Sequence, residues 1–220
     1  NGVITKNTAN SYGGGLYVTN CEVITDQATF SGNTATSWGG AVYAYFSTAM
    51  TFNNTSFTDN TAGNRGGAIC NSSYNNQKMT INGCTITGNK LNKALASTVG
   101  AGISDESGDL EITGGTVISG NTLSKGKGGG VYALKKNGET ISFGDVTIAE
   151  NKAAFGGGVA IDTGTGNLTA ARKPSVAITE ETKVYDNTAA DDNTVAGTSA
   201  HVSDEFLFFT KDSNVNKNGF

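Results

Sequence analysis

The chain is poor in the residues that most often set loop structure or carry chemistry. Its 220 residues include one proline, one histidine and three cysteines, and only 15% of them are charged. The single Pro174 excludes a collagen-like or proline-rich chain. The odd set of Cys21, Cys70 and Cys84 excludes a small disulfide scaffold, and we expect no disulfide within the chain. One histidine, His201, and three scattered cysteines have no zinc-ligand spacing, so we predict neither a metal nor a cofactor.

Long apolar runs and basic tracts are missing as well. No run of about 18 apolar residues is present, which predicts no membrane span in this segment. The net charge is −4, and the lack of a basic tract argues against a nucleic-acid partner. The apolar periodicity of a helix is absent throughout. The sequence begins in the middle of a repeat at Asn1, so we interpret it as a segment of a longer protein.

Glycine, by contrast, is abundant, with 31 residues, and it recurs in a repeat of two halves. One half is an apolar residue three positions before an asparagine, as in Phe30–Asn33, and the other is a glycine pair before a small and an apolar residue, as in Gly39–Val42. The asparagines are Asn7, Asn33, Asn60, Asn89, Asn121, Asn151 and Asn187. The apolar residues after the glycines are Leu16, Val42, Ile69, Ile103, Val131 and Val159. A period of about thirty residues is typical of solenoids, propellers and arrays.

A third motif, an alternating apolar-x-apolar trio, completes each repeat. The trios begin at Cys21, Met50, Met79, Leu110, Ile141 and Val176. Alternation of period two indicates a strand with one buried face. Three short strands in about thirty residues predict an all-β parallel β-helix of about seven coils. We expect one β-helix domain over residues 1–210, with residues 211–220 as a polar tail or the start of a linker.

The register of this β-helix assigns roles to its small and polar residues. Each recurrent asparagine ends a strand, where its amide can bond to the asparagine of the neighbouring coil, and this predicts a ladder of all seven. The glycine pair predicts a tight corner or a close approach of neighbouring coils. In the same register, Cys21 and Cys84 face the core and Cys70 faces outward.

The repeat resembles that of a known family. Phe57–Asn60 followed by Gly66–Ile69 resembles the repeat of chlamydial polymorphic outer-membrane proteins, and similar repeats occur in many bacterial and archaeal adhesin-like surface proteins. The resemblance covers roughly residues 1–210. It implies a right-handed β-helix, export, and a role as an autotransporter-like surface passenger or adhesin. It carries no catalytic residues, and it departs at Gly100–Ile103, where the glycine pair is degenerate.

The arrangement of acidic residues distinguishes a binding module from an enzyme. The distinction is needed because polysaccharide lyases and glycoside hydrolases also have the parallel β-helix fold. Hydrolysis needs two carboxylates across the scissile bond, and a lyase needs carboxylates for calcium and a basic residue. The candidates are Asp105, Glu106, Asp162, Asp191, Asp192, Asp204 and Glu205, with Arg65, Arg172 and His201 as possible partners. Their positions form no constellation on a shared strand column. We therefore predict no catalytic residues, with a lyase or hydrolase as the alternative.

The outward positions favour binding. Tyr12 and Trp38 precede glycine pairs, and Tyr17 and Tyr43 flank inward apolar residues. We expect these four rings to form an exposed aromatic edge that binds a host surface protein or a glycan. The sequence thus predicts a non-catalytic, extracellular or cell-surface module that is monomeric as a segment. A rigid spacer of a surface stalk is one alternative. Ice binding is another, through outward threonine rows that ordinary β-propensity also explains.

Two regions interrupt the repeat. The longest insertions follow the glycine strand, as in residues 159–176, and a second variable loop lies between Asn89 and Gly100. Loops on a solenoid often carry its binding face.

In the last coil, residues 199–202 replace the glycine motif, and residues 206–209 are expected to form either a closing trio or a cap over the open end of the core.

Overall fold

The computed structural model describes residues 1–47, 49–73, 77–135, 138–162 and 175–189, and the backbone of 206–209. Regular structure in these ranges consists of short β-strands, without a helix. In chain order they are β1 (Val3–Thr5), β2 (Thr8–Ala9), β3 (Leu16–Thr19), β4 (Val23–Asp26), β5 (Thr29–Ser31), β6 (Thr34–Ala35), β7 (Val42–Tyr45), β8 (Met50–Asn53), β9 (Ser56–Thr58), β10 (Thr61–Ala62), β11 (Ile69–Asn71), β12 (Met79–Asn82), β13 (Thr85–Thr87), β14 (Lys90–Leu91), β15 (Ile103–Asp105), β16 (Leu110–Ser119), β17 (Val131–Leu134), β18 (Thr140–Ala149), β19 (Lys152–Ala153), β20 (Val159–Asp162), β21 (Ser175–Ile178), β22 (Lys183–Tyr185), β23 (Thr188–Ala189) and β24 (Phe206–Phe209).

Except for β24, each strand pairs in parallel with the equivalent strand of a neighbouring coil. Strands β3, β7, β11, β15, β17 and β20 follow the glycine motifs and stack in chain order as the glycine sheet. The trio strands β4, β8 and β12 continue into the first half of β16, while β1, β5, β9 and β13 join its second half. The all-β, parallel β-helix prediction is therefore confirmed.

The predicted columns of core residues are present in register. Val42 pairs with Leu16 and Ile69 in the glycine sheet, and Phe57 pairs with Phe30 and Ile86 in the strands before the asparagines. The Phe30 and Phe57 rings stack with centroids 5.1 Å apart. Both rings are buried, and burial of a side chain of this size contributes about 1.5–3 kcal/mol. Stacking like on like thus builds one continuous core along the axis.

The first coil departs from the predicted register. Strand β4 begins at Val23, which pairs with Met50, so the first trio starts two residues later than expected. Cys21 lies in the bend before β4 and is exposed, and the prediction that it faces the core is wrong. A shift of two residues leaves every side chain on the same face of a strand, so alternation by itself cannot distinguish the two registers.

The coils are also built differently in detail. A fourth strand of two residues follows the asparagine in most coils, so three strands per coil was too few. In the ten-residue strands β16 and β18 the trio and the following strand fuse, with a register shift between Thr113 and Thr116. Six parallel strands stack in the glycine sheet, slightly fewer than the seven coils predicted.

The chain returns to the glycine sheet at its far end. Strand β24 pairs antiparallel with β20, Phe209 opposite Val159. It is therefore not a closing trio, and it covers the edge of the glycine sheet, where unpaired backbone groups would otherwise be exposed. Residues 199–202 and the insertion 163–174 lie outside the described residues.

The glycine pair at the corner before β7 serves both of the predicted reasons. Gly39 has φ +66, a left-handed conformation that side chains rarely adopt. A Cβ on Gly40 would lie 2.1 Å from the carbonyl oxygen of Gly67 in the next coil. The corner is therefore both sharp and in close contact with its neighbour.

The seven asparagines form a continuous hydrogen-bonded ladder. The Nδ2 group of Asn60 donates to Oδ1 of Asn89 at 3.0 Å, and Asn89 donates to Asn121 at 2.9 Å. The backbone N–H of Asn60 donates to the same Oδ1 of Asn89, and Nδ2 of Asn60 also donates to the carbonyl of Phe30. The pattern repeats from Asn7 to Asn187. Each interior amide thus uses both donors and both acceptor positions.

We predict that Asn89→Ala lowers the free energy of unfolding by about 1–3 kcal/mol, because it leaves buried groups of two coils without partners. Chemical denaturation measures the change. Asn92→Ala is the matched control, because Asn92 is exposed in the loop that follows. Equal effects of the two substitutions would contradict a stabilising role of the ladder.

Candidate functional site

An aromatic patch occupies the outer face of the first coils. It consists of Tyr12, Tyr17, Trp38, Tyr43 and Tyr45. Strands β3 and β7 pair Tyr17 with Tyr43, and alternation along β7 places Tyr45 on the same outer side. Tyr12 and Trp38 pair with each other just before the glycine corners. Stacking of coils thus brings together rings that are about thirty residues apart in the sequence.

The rings of the patch pack closely on one another. Tyr12 stacks on Tyr43 with centroids 4.9 Å apart and planes inclined by 24°. Tyr17 contacts the Tyr43 ring at 5.4 Å, and Trp38 meets it edge-on at 5.8 Å. Offset and tilted pairs at these distances contribute about 0.5–1.5 kcal/mol beyond the burial of area. Tyr43 is therefore the centre of the patch and its neighbours are held around it.

The four predicted rings are brought together, but they are not equally exposed. Tyr12 is 38% and Tyr17 49% exposed, Trp38 is half-buried, and Tyr43 is only 3% exposed. Desolvation raises the pKa of Tyr43 well above its usual value. Tyr43 is thus not an exposed ring. The Tyr12 and Trp38 rings, which precede the glycine corners, and Tyr17 of the neighbouring coil pack over it. The accessible surface of the patch is formed by Tyr12, Tyr17 and part of Trp38.

A charged pair extends the patch along the axis. The guanidinium carbon of Arg65 lies 4.9 Å from the centre of the Trp38 ring, which is a cation–π contact. Arg65 also forms an ion pair with Glu106. The contact of Arg65 with Trp38 was not predicted, although Arg65 takes the same position before the glycine corner as Trp38 one coil earlier. That shared position is the signal in the sequence that indicates it.

A second ion pair lies further along the same face. Lys127 Nζ is 2.9 Å from Asp162 Oδ2, and the Tyr132 hydroxyl lies 3.3 Å from the same oxygen. Desolvation and, secondly, the Asp162 carboxylate raise the pKa of Tyr132. The outer face of the glycine sheet therefore changes along the rod from aromatic to charged.

Asp105 and Glu106 are adjacent in the sequence, but they lie on opposite faces of the glycine sheet. Asp105 pairs with Asn71 and Ala133 in an inward column of the sheet. There it forms an ion pair with Lys135, and both side chains have 0% exposure. Asn71 Nδ2 donates to Asp105 Oδ1 at 2.6 Å. Two neighbouring acids therefore cannot act together on one external ligand.

Burial has the largest effect on the pKa of the Asp105 carboxyl group. Desolvation raises the pKa of Asp105, against the lowering effect of Lys135 and Asn71, and the charge of the buried Glu139 raises it further. We call Asn71, Asp105, Lys135 and Glu139 the interior polar cluster. It is enclosed in the solenoid, remote from any external substrate.

The remaining predicted candidates cannot be placed. Arg172, Asp191, Asp192, His201, Asp204 and Glu205 lie outside the described residues. Within the described ranges, no group of three His, Cys, Asp or Glu side chains is arranged to hold a metal ion. The same ranges contain no helix long and apolar enough to cross a membrane.

Stacked parallel coils, glycine corners and an inward asparagine ladder define a parallel β-helix protein. The family described as the right-handed beta helix region matches residues 1–173, and the chain belongs to this family. No curated protein and no solved structure matches the chain significantly. The right-handed β-helix implied by the resemblance is therefore confirmed, and the kinship with polymorphic outer-membrane proteins and adhesins stays a prediction.

The three cysteines are all free but differ in access. Cys84 faces the core as predicted, and its Sγ lies 3.3 Å from the Phe52 carbonyl oxygen. Cys70 faces outward yet is fully buried under the side chains that cover its column. Desolvation raises the pKa of both thiols, which lowers their thiolate fraction.

We expect a thiol-reactive chromogenic reagent to modify only Cys21 in the folded protein and all three cysteines after denaturation without a reducing agent. The reason is that Cys21 alone is exposed, while Cys70 and Cys84 become accessible to the reagent only on unfolding. A Cys21→Ser variant should show no rapid reaction. Fewer than three thiols in the denatured wild type would contradict the free state of the cysteines.

Proposed function

We propose that this chain is a non-catalytic, extracellular binding module whose aromatic patch recognises a glycan. The observation that carries the proposal is the pair of exposed rings, Tyr12 and Tyr17, packed against the buried Tyr43. Because both are held by the same central ring, they present apolar faces with little loss of side-chain freedom on binding. Sugar rings have apolar faces that stack on such surfaces, and Arg65 beside Trp38 supplies hydrogen-bond donors.

The state of the acidic residues supports the absence of catalysis. The right-handed β-helix occurs both in adhesins and in polysaccharide-degrading enzymes, so the fold does not decide. Among the candidate acids in the described part of the chain, Asp105 is enclosed with Lys135, Glu106 is paired with Arg65, and Asp162 is paired with Lys127. A glycosidase instead holds two carboxyl groups across an accessible bond.

The repeat's resemblance to surface passengers supports an extracellular location, where a glycan or a host surface protein is the partner. The stalk-spacer alternative needs no ligand. It is favoured by the stiffness that an uninterrupted ladder and continuous sheets give to the rod. The two functions are separated by whether the patch binds anything.

We predict that replacing both Tyr12 and Tyr17 with alanine weakens glycan binding at least about tenfold, which corresponds to about 1.4 kcal/mol. A glycan array identifies the ligand and titration calorimetry measures the affinity. Tyr185→Ala is the matched control, because Tyr185 is an exposed tyrosine, at 42%, near the opposite end of the rod. Unfolding midpoints of all variants verify that the fold is retained.

The other outcomes identify the alternatives. Glycan binding that survives the double substitution would place the ligand elsewhere. Binding to a host protein and to no glycan would replace the ligand class, and no binding at all would favour the spacer. Release of reducing ends or unsaturated sugars from a polysaccharide, abolished by Glu106→Gln or Asp162→Asn, would overturn the non-catalytic proposal.

A further inference from the structure

The interior polar cluster has no part in the proposed binding function. Its carboxylate, Asp105, lies in a column of the glycine sheet that also holds Asn71 and the core residues Ala44 and Ala133. A charged pair in such a place loses the hydration of both ions, and a well-packed apolar pair of similar volume is often as stable. Packing and stability thus do not by themselves explain a lysine and an aspartate at these two positions.

The contacts hold the two side chains in one arrangement. Lys135 Nζ donates to Oδ2 of Asp105 and to the carbonyl oxygen of Gly108, which orients the amine. Asn71 Nδ2 donates to the other carboxyl oxygen, Oδ1, at 2.6 Å. The two oxygens of Asp105 therefore differ, because one is bonded to an amide donor and the other contacts the amine.

We propose that Lys135 and Asp105 condense to an intramolecular isopeptide bond. The bond that forms joins Nζ of Lys135 to Cγ of Asp105, and the bond that breaks is Cγ–Oδ2, whose oxygen leaves as water. Lysine ammonium and aspartate carboxylate together contain all the atoms of the amide and one water molecule. The reaction therefore needs no oxidant, reductant or other reactant.

The protons can be followed through the cluster. A proton passes from the ammonium to Oδ2 and gives a neutral amine beside a neutral acid, and the amine then attacks Cγ. Asn71 stabilises the negative charge that develops on Oδ1, as donors do for an oxyanion. After the attack a proton moves from Nζ to Oδ2, with which Nζ is already in contact, and this oxygen leaves as water. Burial raises the pKa of Asp105 and so favours the neutral acid that this reaction requires.

The position of the pair gives the bond a structural consequence. Asp105 ends β15 and Lys135 directly follows β17, so the link joins two neighbouring coils across a separation of 30 residues. It would close a loop of the main chain inside the solenoid, and a covalent closure of this kind limits the unfolded state as a disulfide does. A bond of this type would resist pulling and reducing agents alike.

Intact-mass spectrometry of the purified chain tests the proposal directly. The expected mass is lower than that of the sequence by one water molecule, and tandem spectra of a digest should contain a branched peptide joining Lys135 to Asp105. Lys135→Arg keeps the positive charge but cannot form the amide, so its mass should equal that of its sequence. Asn71→Ala, which removes the donor to Oδ1, should slow the condensation and leave a fraction with the full mass.

The chain supplies an internal control for lysine reactivity. Lys78 forms an exposed ion pair with Glu111 at 2.7 Å. Amine labelling in denaturant should therefore modify Lys78 and leave Lys135 unmodified. A wild-type mass equal to that of the sequence, with Lys135 labelled as fully as Lys78, would overturn the proposal. The wild-type protein decides the question even where a variant fails to fold.

Discussion

Hydrogen bonding of each asparagine to the asparagine of the next coil is the constraint on which the rest of this structure depends. A buried amide without partners is costly, so the side chains of Asn33, Asn60 and Asn89 must lie at the same height in successive coils. Every coil is thereby held in one register against its neighbours. Insertions of different length are absorbed in the loops, and the glycine sheet continues through all six of its parallel strands.

The same register decides what the surface presents. Side chains from equivalent positions lie one above another, so a tyrosine in one coil and a tryptophan in the next become neighbours. Close approach at the glycine corners brings these side chains over the outward column, and Tyr43 is buried as a result. The proposed binding patch thus follows from stacking and does not need a pocket or a flexible loop.

Inside the solenoid, the stacking of like on like is broken at Asp105, and the break is compensated. Asp105 stands between Asn71 and Ala133 in its inward column, and it is accommodated because Lys135 and Asn71 satisfy its two oxygens. One residue further, Glu106 points outward and holds Arg65 beside the patch. A single strand end therefore serves the interior chemistry and the outer surface at once, since alternation sends neighbouring side chains in opposite directions.

The sequence by itself determined the parallel β-helix, the core columns and the seven stacked asparagines, because these depend on short-range periodicity that repeats in every coil. It could not determine the start of the first trio, where a shift of two residues leaves the alternation unchanged, and so Cys21 was misplaced. The burial of Tyr43, the contact of Arg65 with Glu106 and the pairing of Asp105 with Lys135 were decided only by the tertiary structure. The physical reason is that each of these depends on which side chain of the neighbouring coil lies above it, and that is a property of stacking between coils.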